Sequence, residues 1–186
     1  MLRELGVEAT LVRRESELSA VDGLIIPGGE SSVMDKLARM FALDGPLRAR
    51  IRSGMPVFGT CAGLIMLANN VLDAIDGQES LGGLDVDVRR NAFGAQVDSF
   101  EVGVMAPAIA ETPLAAAFIR APVVERVGDG VEVLARLNDG RVVGVRQGNV
   151  VGISFHPEVA GDTRVHEYFV RLVADFVASS KSALPA

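Results

Sequence analysis

The 186-residue chain is predicted to be an α/β domain: a parallel sheet covered on both faces, with an antiparallel extension. Three observations carry this. Gly23-Leu24-Ile25-Ile26 and Met55-Pro56-Val57-Phe58 are short, continuous apolar runs, as strands buried on both faces require. Each leads through a glycine turn into a stretch of helical periodicity, and alternation of strand and helix is the pattern of a parallel sheet with helices packed on it. Beyond Gly82 the texture changes to closely spaced strand-like runs, with Asn138-Asp139-Gly140 as a hairpin signal.

In chain order, Met1 to Leu5 read as the tail of a helix with Gly6 as its left-handed cap, and Val7 to Val12 as a strand. After the polar stretch Arg13 to Ser19, the run Gly23 to Ile26 is a buried strand closed by Pro27-Gly28-Gly29-Glu30-Ser31-Ser32. Ser32 and Asp35 resemble a capping box for a helix to about Phe41, with Val33, Leu37 and Met40 on one face. A second helical stretch follows Pro46, and Pro56 to Ala68 repeats strand, turn and helix. Leu84 to Val88, Gln96 to Val102, Ala115 to Ile119 and Val123 to Val127 are candidate strands. Val131 to Leu137 and Arg141 to Arg146 flank the hairpin signal, and Gly148-Asn149 turns the chain into Val150 to Phe155. Thr163 to Ala178 is the last helix, with Val165, Phe169, Leu172, Val173 and Phe176 at helical spacing; Ser179 to Ala186 reads as a frayed tail. A doubly wound sheet opens with a strand, whereas this chain opens on the end of a helix.

One contiguous pattern of this length, without linker or repeat, predicts a single domain over 1–186. Hydrophobic residues make up 49% and mean hydropathy is +0.32, yet no apolar stretch approaches the roughly 20 residues that cross a bilayer. A net charge of −6 argues against nucleic acid or an anionic membrane as partner, since both demand a basic face. The lone cysteine cannot form an internal disulfide, no secretory signal opens the chain, and no Cys/His cluster has metal-ligand spacing. The expectation is a cytoplasmic protein without a metal or resident cofactor.

Gly59-Thr60-Cys61-Ala62-Gly63 sits where a strand turns abruptly into a helix, the form of a nucleophile elbow. Such a turn needs small residues because its backbone packs on itself. A cysteine there lies at a helix N-terminus, which stabilises a thiolate, and the N–H of Ala62 would face an oxyanion. A buried structural cysteine is the bland alternative.

Only two histidines are present. His156 ends the strand-like run Val150 to Phe155 and is followed by Pro157 and Glu158. Strand ends are where an open α/β sheet meets its ligands, so His156 can share a crevice with Cys61, and Glu158 can orient the imidazole: a Cys-His-Glu triad. His166, within the last helix, reads as structural. Gly28 and Gly29 close another strand, where backbone N–H groups can approach a ligand and Gly29 could supply a second oxyanion donor. Arg90 and Arg120 each follow a strand-like run, where an arginine can meet a carboxylate or simply lie on the surface.

Taken together, the elbow at 59–63, Pro27-Gly28-Gly29-Glu30-Ser31 and His156-Pro157-Glu158 resemble the class I (triad) glutamine amidotransferases. Ile65 stands where many of these enzymes carry glutamine. That feature, with Glu30-Ser31-Ser32, Arg89-Arg90-Asn91-Ala92-Phe93-Gly94, Gln96-Val97-Asp98-Ser99-Phe100 and Phe118-Ile119-Arg120-Ala121-Pro122, is similar to the glutaminase subunits of pyridoxal 5'-phosphate synthase. The similarity runs from Leu2 to about Val177.

The resemblance implies a flavodoxin-like α/β/α sandwich and hydrolysis of L-glutamine to glutamate and ammonia. The ammonia would pass through a channel to a separate synthase subunit in a hetero-oligomer. Cys61 would attack the amide carbon, with His156 as acid and base and Glu158 orienting it. Gly29 and Ala62 would hold the oxyanion; Gly28, Gly29, Glu30, Arg90, Ile119 and Arg120 would contact glutamine. It also places a first strand and most of a first helix, about 15 to 20 residues by mean element lengths, ahead of Met1. Two other classes stay open: a PfpI-like cysteine hydrolase or redox-sensing module, and a noncatalytic subunit with a vestigial cysteine.

Overall fold

The computed structural model describes residues 1–92 and 99–182. In chain order the elements are α1 (Glu15–Ser19), β1 (Leu24–Ile26), α2 (Ser31–Met40), α3 (Asp44–Arg52), β2 (Val57–Thr60), α4 (Ala62–Leu67), β3 (Ala68–Val71) and β4 (Leu84–Arg89). There follow β5 (Phe100–Val104), β6 (Leu114–Phe118), β7 (Val123–Val127), β8 (Glu132–Arg136), β9 (Val142–Gln147), β10 (Val150–Ile153) and α5 (Arg164–Ser182).

The sheet is mixed, in the order β1-β2-β10-β9-β7-β4-β3, with β8 added on β9; β5 and β6 form a separate antiparallel hairpin. Its parallel part is the part that matters for the site. β2 pairs in parallel with β1 on one side and β10 on the other, in a register that aligns Ile26, Gly59 and Gly152. The C-terminal ends of three strands therefore meet at one edge of the sheet, and the next residues of each chain segment emerge there.

Alternation along β2 and its neighbours divides the interior into two cores, one on each face. Phe58, Val151, Ile153 and Phe155 pack with Val165 and Phe169 of α5, whose ring lies 5.7 Å from that of Phe58. Val57 and Val150 point the other way, to Ile51 of α3, Leu64 of α4 and Leu18 of α1. Helices thus cover both faces of the parallel strands, the arrangement the apolar runs predicted.

Several local expectations are corrected. Val7 to Val12 form no strand, because an isolated extended segment has no neighbour to take its N–H and C=O groups, and no described strand lies beside it. Met1 to Leu5 make hydrogen-bonded turns in place of a helix end, although Gly6 does adopt φ +71°. α2 starts at Ser31 with Glu30 before it, so Ser32 is not its cap; Asp35 is buried and binds Arg39 and the backbone of Glu79. Its fully buried residues are the polar Ser31 and Asp35, with Met34 packed against the core beside them, and Val33, Leu37 and Met40 face outward. α4 ends at Leu67, close to the predicted end at Ala68, and gives way at once to β3, a strand the sequence reading did not mark, which pairs with β4. α5 continues through Ser182, past the predicted tail at Ser179, with Ser179, Ser180 and Ser182 hydroxyls bonded back to helix carbonyls. Residues 96–98 of the predicted strand Gln96 to Val102 lie outside the described residues, and β5 begins at Phe100.

Candidate active site

Cys61 stands at the junction of β2 and α4 with φ +51° and ψ −104°, a conformation a non-glycine residue rarely takes. Close packing holds it there. Its N–H donates to Ile153 O at 2.8 Å, and a side-chain carbon at Gly59 would strike the backbone of Gly63. One at Gly63 would strike the carbonyl of Ile26. The small residues of the pentapeptide are therefore required by contact, as the elbow pattern predicted. Ala62 is the first residue of α4, so its N–H is one of the helix-start donors with no partner inside the helix. The Cys61 thiol is nearly buried, with its Sγ 4.0 Å from the carbonyl oxygen of Ile119.

His156 emerges from the end of β10, the neighbour of β2, and is fixed from three sides. Its backbone N–H donates to Ala117 O of β6 at 2.8 Å. Its Nδ1 lies 2.7 Å from Glu158 Oε1. Its ring lies close against Gly28, where any side-chain carbon would collide with Cε1. Hydrogen bonding to Cys61, and then to Glu158, pushes the imidazole up to about 9 against the resistance of burial. Burial pushes the Glu158 carboxyl up, but the His156 hydrogen bond and charge outweigh it and leave it below its usual value. Cys61, His156 and Glu158 are thus brought together as a connected series, in which the imidazole readily holds a proton.

Around this series lie the other residues singled out in the sequence. Gly28 and Gly29 follow β1, and Gly29 takes φ +155°. Glu30 Oε1 accepts from Arg90 Nη2 at 2.7 Å, which links the turn after β1 to the turn after β4. That second turn is joined to the one after β6 by Ala92 N–H donating to Ala121 O at 3.1 Å. Asn91 and Arg120 both adopt positive φ in these turns, at +46° and +45°. Ile119 and Arg120 are exposed there, with the Ile119 carbonyl turned toward Cys61. All the candidate residues therefore belong to one end of the sheet. The sequence did not single out Gln78, which accepts from Arg90 Nη1 at 2.9 Å; it lies in a loop without periodicity or motif, and only a contact reveals it.

His166 is buried, as a structural residue would be, with its ring edge-on to Phe58 at 5.5 Å. Burial holds its pKa below the usual histidine value. Among the described residues no helix is long and apolar enough to cross a membrane.

A family profile described as the SNO glutamine amidotransferase family matches residues 1–175. A pyridoxal 5'-phosphate synthase subunit PdxT from Leifsonia xyli subsp. xyli is 61% identical over 170 residues, covering 91% of this chain and 86% of that protein. A PdxT subunit from a Nocardioides species is 59% identical over 179 residues, with 94% and 89% covered. A crystal structure of a glutamine amidotransferase superposes with a TM-score of 0.86 at 46% identity, covering 93% of this chain and 90% of the other.

Proposed function

Since the chain belongs to the SNO glutamine amidotransferase family, we propose that it is the glutaminase subunit of a pyridoxal 5'-phosphate synthase, acting through Cys61, His156 and Glu158. In this reading the described chain is one glutamine amidotransferase domain, working in the cytoplasm, where a lone cysteine stays reduced. His156 takes the proton of the Cys61 thiol as Sγ forms a bond to the side-chain amide carbon of L-glutamine, and the carbonyl electrons move onto oxygen. The N–H groups of Ala62 and Gly29 receive that oxyanion, a contact often worth about 3 kcal/mol. The tetrahedral intermediate collapses with cleavage of the C–N bond, and the leaving nitrogen takes the proton that His156 carries. Ammonia departs and a γ-glutamyl thioester remains. His156, now neutral, takes a proton from water as the water attacks the thioester carbon, and glutamate leaves as the thiol is regenerated.

The observation that carries this reading is the nearly buried Cys61 at a strained elbow, following a strand paired in parallel with the one that leads to His156, whose Nδ1 lies 2.7 Å from Glu158 Oε1. Glu158 supports the imidazolium without itself giving up a proton. Gly28, Gly29, Glu30, Arg90, Ile119 and Arg120 are assigned to glutamine. Ammonia goes to a synthase subunit in a hetero-oligomer, as the names of the relatives suggest. Their identity does not favour the PfpI-like alternative. The test is ammonia release from L-glutamine, with and without the synthase subunit. Turnover should rise when the synthase is added, because the Gly28-Gly29 peptide can reorient to face the oxyanion. Full turnover by the isolated chain, unchanged on adding the synthase, would contradict the partner control, and none in either condition would contradict the function.

A further inference from the structure

Arg90 is held by more than Glu30. Gln78 lies in the loop between β3 and β4, and its amide bridges Arg90 and Ser31. Oε1 accepts from Arg90 Nη1 at 2.9 Å, and Nε2 donates to Ser31 Oγ at 3.1 Å. Ser31 is the neighbour of Glu30, whose Oε1 accepts from Arg90 Nη2 at 2.7 Å. Glu30, Arg90, Gln78 and Ser31 therefore close a ring, with the chain itself as the last link. A guanidinium whose two terminal nitrogens are both engaged cannot turn about its long stem, and its remaining donors point in a fixed direction. Ser31 is 2% exposed and the Arg90 side chain 11%, so water cannot readily replace these bonds.

The loop has anchors besides the Gln78 amide, whose Oε1 also accepts a long 3.4 Å bond from Ile75 N–H. Glu79 N–H donates to the buried Asp35 carboxylate at 3.1 Å, and Arg39 Nη2 donates to Gly77 O at 3.0 Å. Arg90 N–H is separately tied to Asp73 Oδ1 at 2.8 Å. The shorter loop anchors thus come from Asp35 and Arg39, and the shortest bond of the Gln78 amide goes to Arg90.

We infer that Gln78 is a positioning residue for substrate recognition: its amide locks the Arg90 guanidinium against Glu30, so that Arg90 presents a fixed fork to the α-carboxylate of the amino-acid substrate. This rests on the assignment of Arg90 to glutamine. Without the amide, Arg90 must be ordered when substrate binds, and affinity falls while the thiol chemistry stays as it was.

The experiment compares wild type, Gln78→Ala and Arg39→Ala, each bound to the synthase subunit, with L-glutamine and with L-glutamine α-amide, which lacks the carboxylate. Gln78→Ala should raise KM for glutamine about tenfold, the size of one charge-assisted hydrogen bond, while kcat falls less than about threefold. The preference for glutamine over its α-amide should shrink by about the same factor, because the penalty requires the carboxylate. The rate at which iodoacetamide alkylates Cys61 in the free protein, and the melting temperature, should stay close to wild type. Arg39→Ala, which loosens the loop but keeps the amide, should change KM less than about threefold. An unchanged KM in Gln78→Ala overturns the inference. So does an equal penalty on both substrates, or an Arg39→Ala effect as large as that of Gln78→Ala. A wild type that releases no ammonia from glutamine sinks the proposed function first and this inference with it; an active wild type with any of the three contrary results sinks the inference alone.

Discussion

A side-chain carbon added at Gly28, Gly59 or Gly63 would run into the imidazole or into backbone, whereas Glu30, Arg90 and Gln78 are joined only by side-chain hydrogen bonds on turns at the same end of the sheet. In the first region position is set by close packing, against backbone at Gly59 and Gly63 and against the imidazole at Gly28. In the second it is set by polar bonds that can be removed singly. The difference teaches where chemistry and binding separate: changes at the elbow should disturb folding or the chemical step, and changes at the polar rim should disturb affinity.

The most severe test of the elbow is Cys61→Ala. It removes the nucleophile but keeps a small residue in the turn, so ammonia release should fall by more than about a thousandfold with the melting temperature nearly preserved. His156→Ala should approach that loss, and Glu158→Gln should be milder, since Glu158 orients the base without moving the proton. Equal losses in the two variants would mean that the roles are misassigned.

Gly63→Ala and Gly28→Ala divide the packed region itself. The first drives a methyl group into the Ile26 carbonyl and should destabilise the fold by about 1 to 3 kcal/mol, read from denaturant unfolding. The second meets a side chain able to shift, the His156 ring, so kcat should fall about a hundredfold with a smaller loss of stability. At the rim, Arg90→Lys should raise KM for glutamine about tenfold and leave the unfolding midpoint near wild type, because a lysine keeps the charge but not the fork. A large stability loss there, with KM unchanged, would erase the contrast between the regions.

Much of this was legible in the sequence because packing leaves a residue signature. Gly59-Thr60-Cys61-Ala62-Gly63 betrays the elbow, and the apolar runs at 23–26, 55–58 and 150–155 betray the parallel strands that carry the site. What was not legible depends on partners distant in the chain. Val7 to Val12 has strand composition but no described strand beside it, and Val33, Leu37 and Met40 have core spacing on a helix whose fully buried residues are instead Ser31 and Asp35. Gln78 stands 47 residues from Ser31 and 12 from Arg90, so no local pattern could mark it.

The two histidines extend the comparison to pH. His156 is raised from 6.5 to about 9, so its contribution to stability is fully present below about pH 6.5 and lost as pH rises through about 9. His166 is lowered from 6.5 by burial; the unfolded chain gains that proton first, and stability falls as pH drops below 6.5. His156→Ala should flatten the alkaline side of the stability profile, and His166→Phe the acid side. Unchanged slopes in both variants would contradict the assigned directions.

The most direct test of the central claim is trapping of the γ-glutamyl thioester. The wild-type chain bound to its synthase subunit is quenched with acid during turnover of L-glutamine, and the peptide carrying Cys61 is weighed by mass spectrometry. A glutamyl adduct on Cys61, absent in Cys61→Ala and depleted in His156→Ala, is the predicted result. Steady ammonia release with no adduct on Cys61, or release that survives in Cys61→Ala, would contradict it.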